Sequence, residues 1–88
     1  MTNWQVLIAK EMGHHGETLD DTVRCTPPLE SDEMSRMFDD SYGLAEGCPF
    51  TLWTSSRIYF PAVYDGAEWV ASVPRRPCTE VTKHVGGQ

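Results

Sequence analysis

Cysteine and histidine are the residue types here that could bind a metal or act as nucleophiles, and the chain of 88 residues has three of each. Cys25, Cys48 and Cys78 lie far apart, and no C-x-x-C pair is present. Zinc sites are usually assembled from closely spaced ligand pairs. The spacing therefore predicts three free thiols in a reducing compartment, with no metal and no cofactor.

The histidines also give little indication of a metal site or a catalytic site. His14 and His15 are adjacent and lie between two glycines. Neighbouring side chains of an extended segment point in opposite directions, which makes a poor chelate, so we expect an exposed loop. A nucleophilic set can be named from Cys48, His84 and Asp65, but a chain with this many acids contains such triples by chance. We therefore predict no enzymatic activity, and a small thiol- or metal-dependent enzyme is the least favoured alternative.

Acidic side chains are concentrated in one stretch of the chain. Residues 17–46 carry nine acids against two arginines, a net charge of −7, while the whole chain has a net charge of −6. Such a stretch can simply keep a small protein soluble. It can also let carboxylates replace phosphates in a basic channel of another protein. We predict the second role, and the partner-binding residues are then Glu17, Asp20, Asp21, Glu30, Asp32, Glu33, Asp39, Asp40 and Glu46.

Aromatic and basic residues are interleaved in the second half of the chain, at Trp53, Arg57, Tyr59, Phe60, Tyr64, Trp69, Arg75 and Arg76. Aromatic residues beside arginines suit the stacking of nucleic-acid bases. They also suit cross-strand pairing that fills a small core. Because the acidic stretch would repel a nucleic acid, we predict the core role and no direct nucleic-acid partner.

The second half predicts a three-stranded antiparallel meander. Its first two strands are the aromatic runs at residues 49–54 and 57–64, and the third is residues 68–73. Asp65-Gly66 predicts the tight hairpin between the last two, because both residues tolerate positive φ. Pro61 cannot donate to a ladder, so we expect a bulge or a change of strand partner there.

The first half predicts shorter elements. The apolar run at residues 4–9 has the composition of a strand that pairs with the meander. Thr18 with Asp21 predicts a capped short helix that continues to about Cys25. Ser31 predicts the cap of a second short helix, in which Met34, Met37 and Phe38 share one face.

Together these elements predict an α+β domain. It has an antiparallel sheet of about four strands with one or two short helices on one face. Residues 1–85 form a single small domain, and residues 86–88 form a frayed C-terminus. A chain of this size builds only a small core.

Composition excludes several classes of protein. A hydrophobic fraction of 40% is too high for a disordered chain, and no apolar run is long enough for a membrane span. The first residues lack the basic and apolar regions of a secretory signal, so we expect a cytoplasmic protein. The excess of acid favours a monomer over a dimer.

In its length, acidity, short helices on a small sheet and lack of enzyme motifs, the chain resembles the anti-CRISPR proteins, which are small phage-encoded inhibitors. The run from Pro49 to Thr54 and the run from Asp65 to Val70 also look like those of small phage proteins. The resemblance implies a protein that binds a CRISPR effector subunit in the infected host cell and blocks DNA recognition stoichiometrically. The chain differs from the most acidic DNA mimics in its basic segment Arg75-Arg76-Pro77. The alternative is a structural or interaction protein of phage origin that uses a neutral sheet face.

Overall fold

Four antiparallel strands form one sheet in the order of the chain, and a helix packs across one of its faces. The computed structural model describes residues 1–39 and 46–86. The elements are helix α1 (Trp4–Gly13), a 3-10 helix (Leu19–Asp21), strand β1 (Arg24–Thr26), helix α2 (Asp32–Ser35) and strands β2 (Thr51–Trp53), β3 (Arg57–Tyr64) and β4 (Ala67–Pro74). The predicted α+β class, the four-stranded sheet and the C-terminal meander are confirmed.

The first helix corrects a prediction, because residues 4–9 are helical and not a strand. The Asn3 side chain caps the helix by accepting a hydrogen bond from the Val6 amide at 2.9 Å. Trp4, Ile8 and Met12 are fully buried and lie on one helical face, four residues apart. Apolar residues on the exposed face, such as Val6, hid this period in the sequence. The asparagine cap and the 4-8-12 spacing were the signals that identify the helix.

The predicted helix from Thr18 to Cys25 is also wrong beyond its first turn. The Thr18 amide donates to the Asp21 carboxylate at 2.8 Å, as the expected cap requires. The chain then leaves the helix, because the Val23 amide donates to the Trp53 carbonyl at 2.7 Å and joins β2. Strand β1 follows at once and supplies the fourth strand of the sheet.

Helix α2 begins after Ser31 as predicted, but the Ser31 side chain forms no capping hydrogen bond, and the helix ends at Ser35. Arg36 is extended, so Met37 does not share the buried face and is 49% exposed. Phe38 still reaches the core, because a backbone bridge pairs it with Thr2. The sequence also predicts that residues 39–43 end this helix, and residues 40–43 of that run lie outside the described residues.

The long hairpin of β3 and β4 turns at Asp65 and Gly66, which both have positive φ, as predicted. Of the two alternatives predicted for Pro61, the bulge is wrong, since Pro61 pairs with Val70 in unbroken register, whereas the strand partners of β3 do change next to it. Strand β2 pairs only with Ile58 and Tyr59 of β3. Pro61 therefore lies where β3 has one paired neighbour, and its missing N–H interrupts no ladder on the other side.

The core lies between α1 and the sheet and is completed by aromatic side chains from the connections. Phe38 and Phe50 each place their ring centroid 5.0 Å from that of Trp4, at 57° to its plane. The Trp4 indole also donates to the Cys48 carbonyl at 2.9 Å. Leu52, Tyr59 and Val70 close the core from the sheet.

Gly47 is required by close packing against this indole. A methyl group at residue 47 would lie less than 3.0 Å from three atoms of Trp4, whose side chain is buried on all sides. We expect Gly47→Ala to lower the free energy of unfolding by about 1–3 kcal/mol, the usual cost of overpacking. Chemical denaturation measures this.

Gly13→Ala is the matched control, since a methyl group at residue 13 meets nothing within 4 Å. Equal stability of the Gly47→Ala protein and the Gly13→Ala protein would contradict the packing described for Trp4.

Candidate functional site

The nine acids predicted to bind a partner lie in three parts of the fold. Asp20 and Asp21 are in the 3-10 helix, and Asp32 and Glu33 begin α2. Both elements contact α1, so these acids lie on the helical side of the sheet. The others lie in the connections, at Glu17, Glu30, Asp39 and Glu46. Asp40 lies outside the described residues.

Four of these acids are exposed, and within the described residues their carboxylates have neither a basic partner nor a hydrogen bond. Asp20, Glu30, Asp32 and Glu33 are the four. Within residues 1–39 and 46–86, no lysine or arginine forms an ion pair with any of them. Their charge is therefore directed to solvent. We call these four the acidic helical layer.

Three other predicted acids have roles inside the fold. Glu17 accepts a hydrogen bond from the Tyr59 hydroxyl, and burial together with this carboxylate raises the pKa of the Tyr59 phenol. Asp21 caps the 3-10 helix. Glu46 accepts a long hydrogen bond from the Asp39 amide at 3.4 Å. Sequence reasoning placed these side chains with the partner-binding acids because it could not see their contacts.

Glu68 is a buried acid that sequence reasoning missed. It is 6% exposed and accepts hydrogen bonds from the Glu46 amide at 2.7 Å and the Gly47 amide at 3.1 Å. Two backbone donors satisfy the carboxylate and hold the connection before β2. The alternation of β4, which places Glu68 on the same face as Val70, is the signal that could have found it.

A polar cluster joins the end of α1 to β4. The Ser72 hydroxyl lies 3.1 Å from a Glu11 carboxylate oxygen and 3.2 Å from His15 Nε2. His15 Nε2 also lies 3.0 Å from the same Glu11 oxygen. In a nucleophilic relay the acid holds one imidazole nitrogen and the other faces the serine. Here the same nitrogen, His15 Nε2, faces both the carboxylate and the serine hydroxyl. The cluster therefore links α1 to β4 and does not have the geometry of a nucleophilic relay.

Arg57 and Glu80 hold the C-terminal segment on this cluster. The buried Arg57 guanidinium donates to both Glu80 oxygens at 3.1 and 3.0 Å and to the Ser72 hydroxyl at 3.0 Å. These bonds lower the pKa of the Glu80 carboxyl and raise the pKa of Arg57. The Arg57 guanidinium therefore pairs with Glu80 inside the fold, although its place in the sequence suggested a basic residue that a ligand could contact.

The three cysteines are free thiols in the structure. Cys25 and Cys48 are half-buried against the core, and Cys78 is exposed. Burial, reinforced by the Glu30 carboxylate, raises the pKa of the Cys25 thiol to about 11, and burial also raises the pKa of Cys48. No histidine, cysteine and acid group suited to a metal ion occurs among the described residues. Nor does a hydrogen bond or ion pair in that part of the chain link Cys48, His84 and Asp65.

The aromatic residues of the meander divide between the two sheet faces, which corrects the prediction that they fill the core. Tyr59 does so and is fully buried. The register places Trp53, Phe60, Tyr64 and Trp69 on the opposite face, away from α1. Tyr64 is 50% exposed and Trp69 is 37% exposed.

Comparison of the chain with protein-family models, with characterised proteins and with solved structures finds no match. Within the described residues, each helix is too short or too polar to cross a membrane.

The attachment of the C-terminal segment depends on pH. Because the pKa of Glu80 is lowered, the contact with Arg57 is complete above the ordinary carboxyl pKa of 4.5 and is lost as the pH falls through the lowered value. We expect the NMR signals of residues 81–85 to change in that acidic range. Glu80→Gln should give these residues their low-pH shifts already at pH 7. Glu33→Gln is the control, and unchanged shifts in the Glu80→Gln protein would contradict the attachment.

The thiols should differ in reactivity towards a disulfide reagent at pH 8. Cys78 should react first, since it is exposed. The rise in the pKa of Cys25 from 9.0 to about 11 lowers its thiolate fraction about a hundredfold, so Cys25 should react slowly. Cys78→Ser should remove the fast phase. In denaturant all three thiols should react without prior reduction, and a lower count would reveal a disulfide.

Proposed function

We propose that this protein acts by binding and not by catalysis. Its acidic helical layer binds a basic surface of another protein, of the kind that holds nucleic acid. The observation that supports this is the set of four exposed carboxylates without lysine or arginine partners in the described part of the chain. Like charges held together on a folded surface repel one another, and a basic partner would relieve that repulsion.

The resemblance to the anti-CRISPR proteins makes this partner a CRISPR effector subunit in the infected host cell. Carboxylates of the acidic helical layer would occupy the positions of DNA phosphates and block DNA recognition stoichiometrically. Glu17, Asp21 and Glu46 contribute less to such contacts, because their carboxylates also accept hydrogen bonds inside the fold. Asp20, Glu30, Asp32 and Glu33 carry the interaction, and Asp39 and Asp40 extend its charge.

A second candidate function is that of an interaction protein which uses the sheet face opposite α1. The exposed rings of Tyr64 and Trp69 favour it. The two candidates use different residues, so substitutions separate them.

Charge reversal tests the acidic helical layer. The paired variants Asp20→Lys with Glu30→Lys, and Asp32→Lys with Glu33→Lys, should each slow association with a purified CRISPR effector complex several-fold and weaken inhibition of its DNA binding. The wild-type association rate should fall as salt rises from 50 to 150 mM, because the Debye length shrinks to about 8 Å. Surface plasmon resonance and a DNA-binding competition assay measure both.

The melting temperature should change little in these variants, since exposed charges contribute about 0–1 kcal/mol to stability. Ser55→Lys, at an exposed residue outside the acidic helical layer, is the control, because it adds positive charge elsewhere on the surface. If all acidic variants inhibit as well as wild type while a sheet-face variant such as Trp69→Ala fails, the acidic surface is not the interface.

A further inference from the structure

The C-terminal segment folds back over the sheet after β4 ends, and we call residues 80–86 the C-terminal strap. Residues 80–85 line one side of a cavity of about 280 Å³, and residues 69–72 of β4 line another side. At the end of the strap, a methyl group added to Gly86 would lie 3.1 Å from the Val63 carbonyl oxygen of β3. The C-terminal strap therefore crosses β4 and reaches β3.

Two buried alanines show which face of the sheet the C-terminal strap covers. Strand alternation places Tyr59 and Val70 in the core, and it places Ala62 and Ala71 on the face opposite α1. Ala62 is nevertheless only 6% exposed, and Ala71 is only 8% exposed. Because α1 packs on the other face, the C-terminal strap and the neighbouring rings are what shields these two methyl groups from water.

One ion pair attaches the C-terminal strap to the rest of the fold. Among the described residues, no backbone hydrogen bond joins residues 76–86 to a helix or a strand. The side-chain hydrogen bonds that do so are the two that Arg57 donates to the Glu80 carboxylate. Every residue of the strap is exposed, and Val81 and Val85 are 86% and 42% exposed. Apolar contacts therefore contribute little to holding it.

We infer that the C-terminal strap is a releasable cover over the sheet face opposite α1, and that the Arg57–Glu80 pair is its latch. Ordering seven residues costs conformational entropy, which a segment without backbone hydrogen bonds and with few apolar contacts recovers poorly. A bidentate pair between a guanidinium and a carboxylate is the strong, directional contact that remains. Loss of this pair therefore releases the strap and uncovers Ala62, Trp69 and Ala71.

The fold tolerates the release because Arg57 is not left as a buried charge without partners. Its guanidinium lines the cavity under the C-terminal strap, so water reaches it once the strap has moved away. It keeps its hydrogen bond to the Ser72 hydroxyl at 3.0 Å. The Glu11 carboxylate lies 3.1 Å from the same hydroxyl and stays beside the guanidinium as a negative charge. The closed and the released arrangements are therefore both compatible with an intact sheet.

This inference adds regulation to the second candidate function, in which the sheet face opposite α1 is the interface. A partner of that face would have full access to Trp69 and Ala71 only after the C-terminal strap is released. The inference uses none of the acidic helical layer. Its test is made on the isolated protein without a partner, so its failure is distinguishable from failure of either candidate function.

The test compares the full wild-type chain with Glu80→Gln at pH 7 by NMR relaxation. We expect the backbone order parameters of residues 81–86 to fall below about 0.6 in Glu80→Gln and to be higher in the wild type. The methyl signals of Ala62 and Ala71 should shift in the same variant. Fluorescence of the apolar dye anilinonaphthalene sulfonate should rise several-fold, because the uncovered face is apolar.

Two further variants make the test specific. Lys83→Gln is the matched control within the C-terminal strap, since Lys83 forms no ion pair among the described residues, and the strap should stay ordered. Ala71→Lys places a long charged side chain under the strap and should release it with Arg57 and Glu80 both present. Circular dichroism checks that each variant remains folded.

Three results would overturn the inference. The first is a wild-type strap with order parameters as low as those of Glu80→Gln, since the pair then holds nothing. The second is a strap that stays ordered in Glu80→Gln, in which case the pair is not the latch. The third is a released strap with unchanged alanine methyl signals and unchanged dye fluorescence, because the strap then covers no apolar face.

Discussion

The buried indole of Trp4 is the contact on which the rest of the structure depends. It joins α1 to the rings of Phe38 and Phe50, which come from the two ends of the connection between α2 and β2. Its N–H is satisfied by the Cys48 carbonyl, so the ring is both packed and hydrogen-bonded. The neighbouring Gly47 lets the backbone approach the ring closely. In this small core, the single side chain of Trp4 therefore holds the connection between α2 and β2 in place.

Buried and half-buried polar groups hold together the parts of the fold that the small core does not reach. Glu68 holds the connection before β2, Glu17 satisfies Tyr59, and Arg57 attaches the C-terminal segment through Glu80. Each carboxylate accepts hydrogen bonds from specific donors, and the nearly buried Glu68 depends on them most, because a buried charge must be hydrogen-bonded. These contacts divide the described acids into those that maintain the fold and those that remain exposed to solvent.

The two sides of the domain present different chemistry. The exposed acids Asp20, Glu30, Asp32 and Glu33 lie in the short helices and a connection, whereas strand register places Trp53, Phe60, Tyr64 and Trp69 on the sheet face opposite α1. Substitutions of these acids and of the exposed rings of Tyr64 and Trp69 can therefore be made independently.

The sequence by itself determined the meander and the Asp65-Gly66 turn, because these depend on local alternation and turn chemistry. The predicted number of strands was right, but the fourth strand is Arg24–Thr26 and not residues 4–9. The sequence also determined that the first half carries the negative charge. Residues 4–9 were misassigned, since apolar residues on both helical faces resemble a strand, and α1 is selected by its packing on the sheet. Only the tertiary structure decided which acids are held inside the fold and which face of the sheet each aromatic ring occupies. The reason is physical: burial and sheet register depend on residues distant in sequence, and a shift of one residue would exchange the two faces.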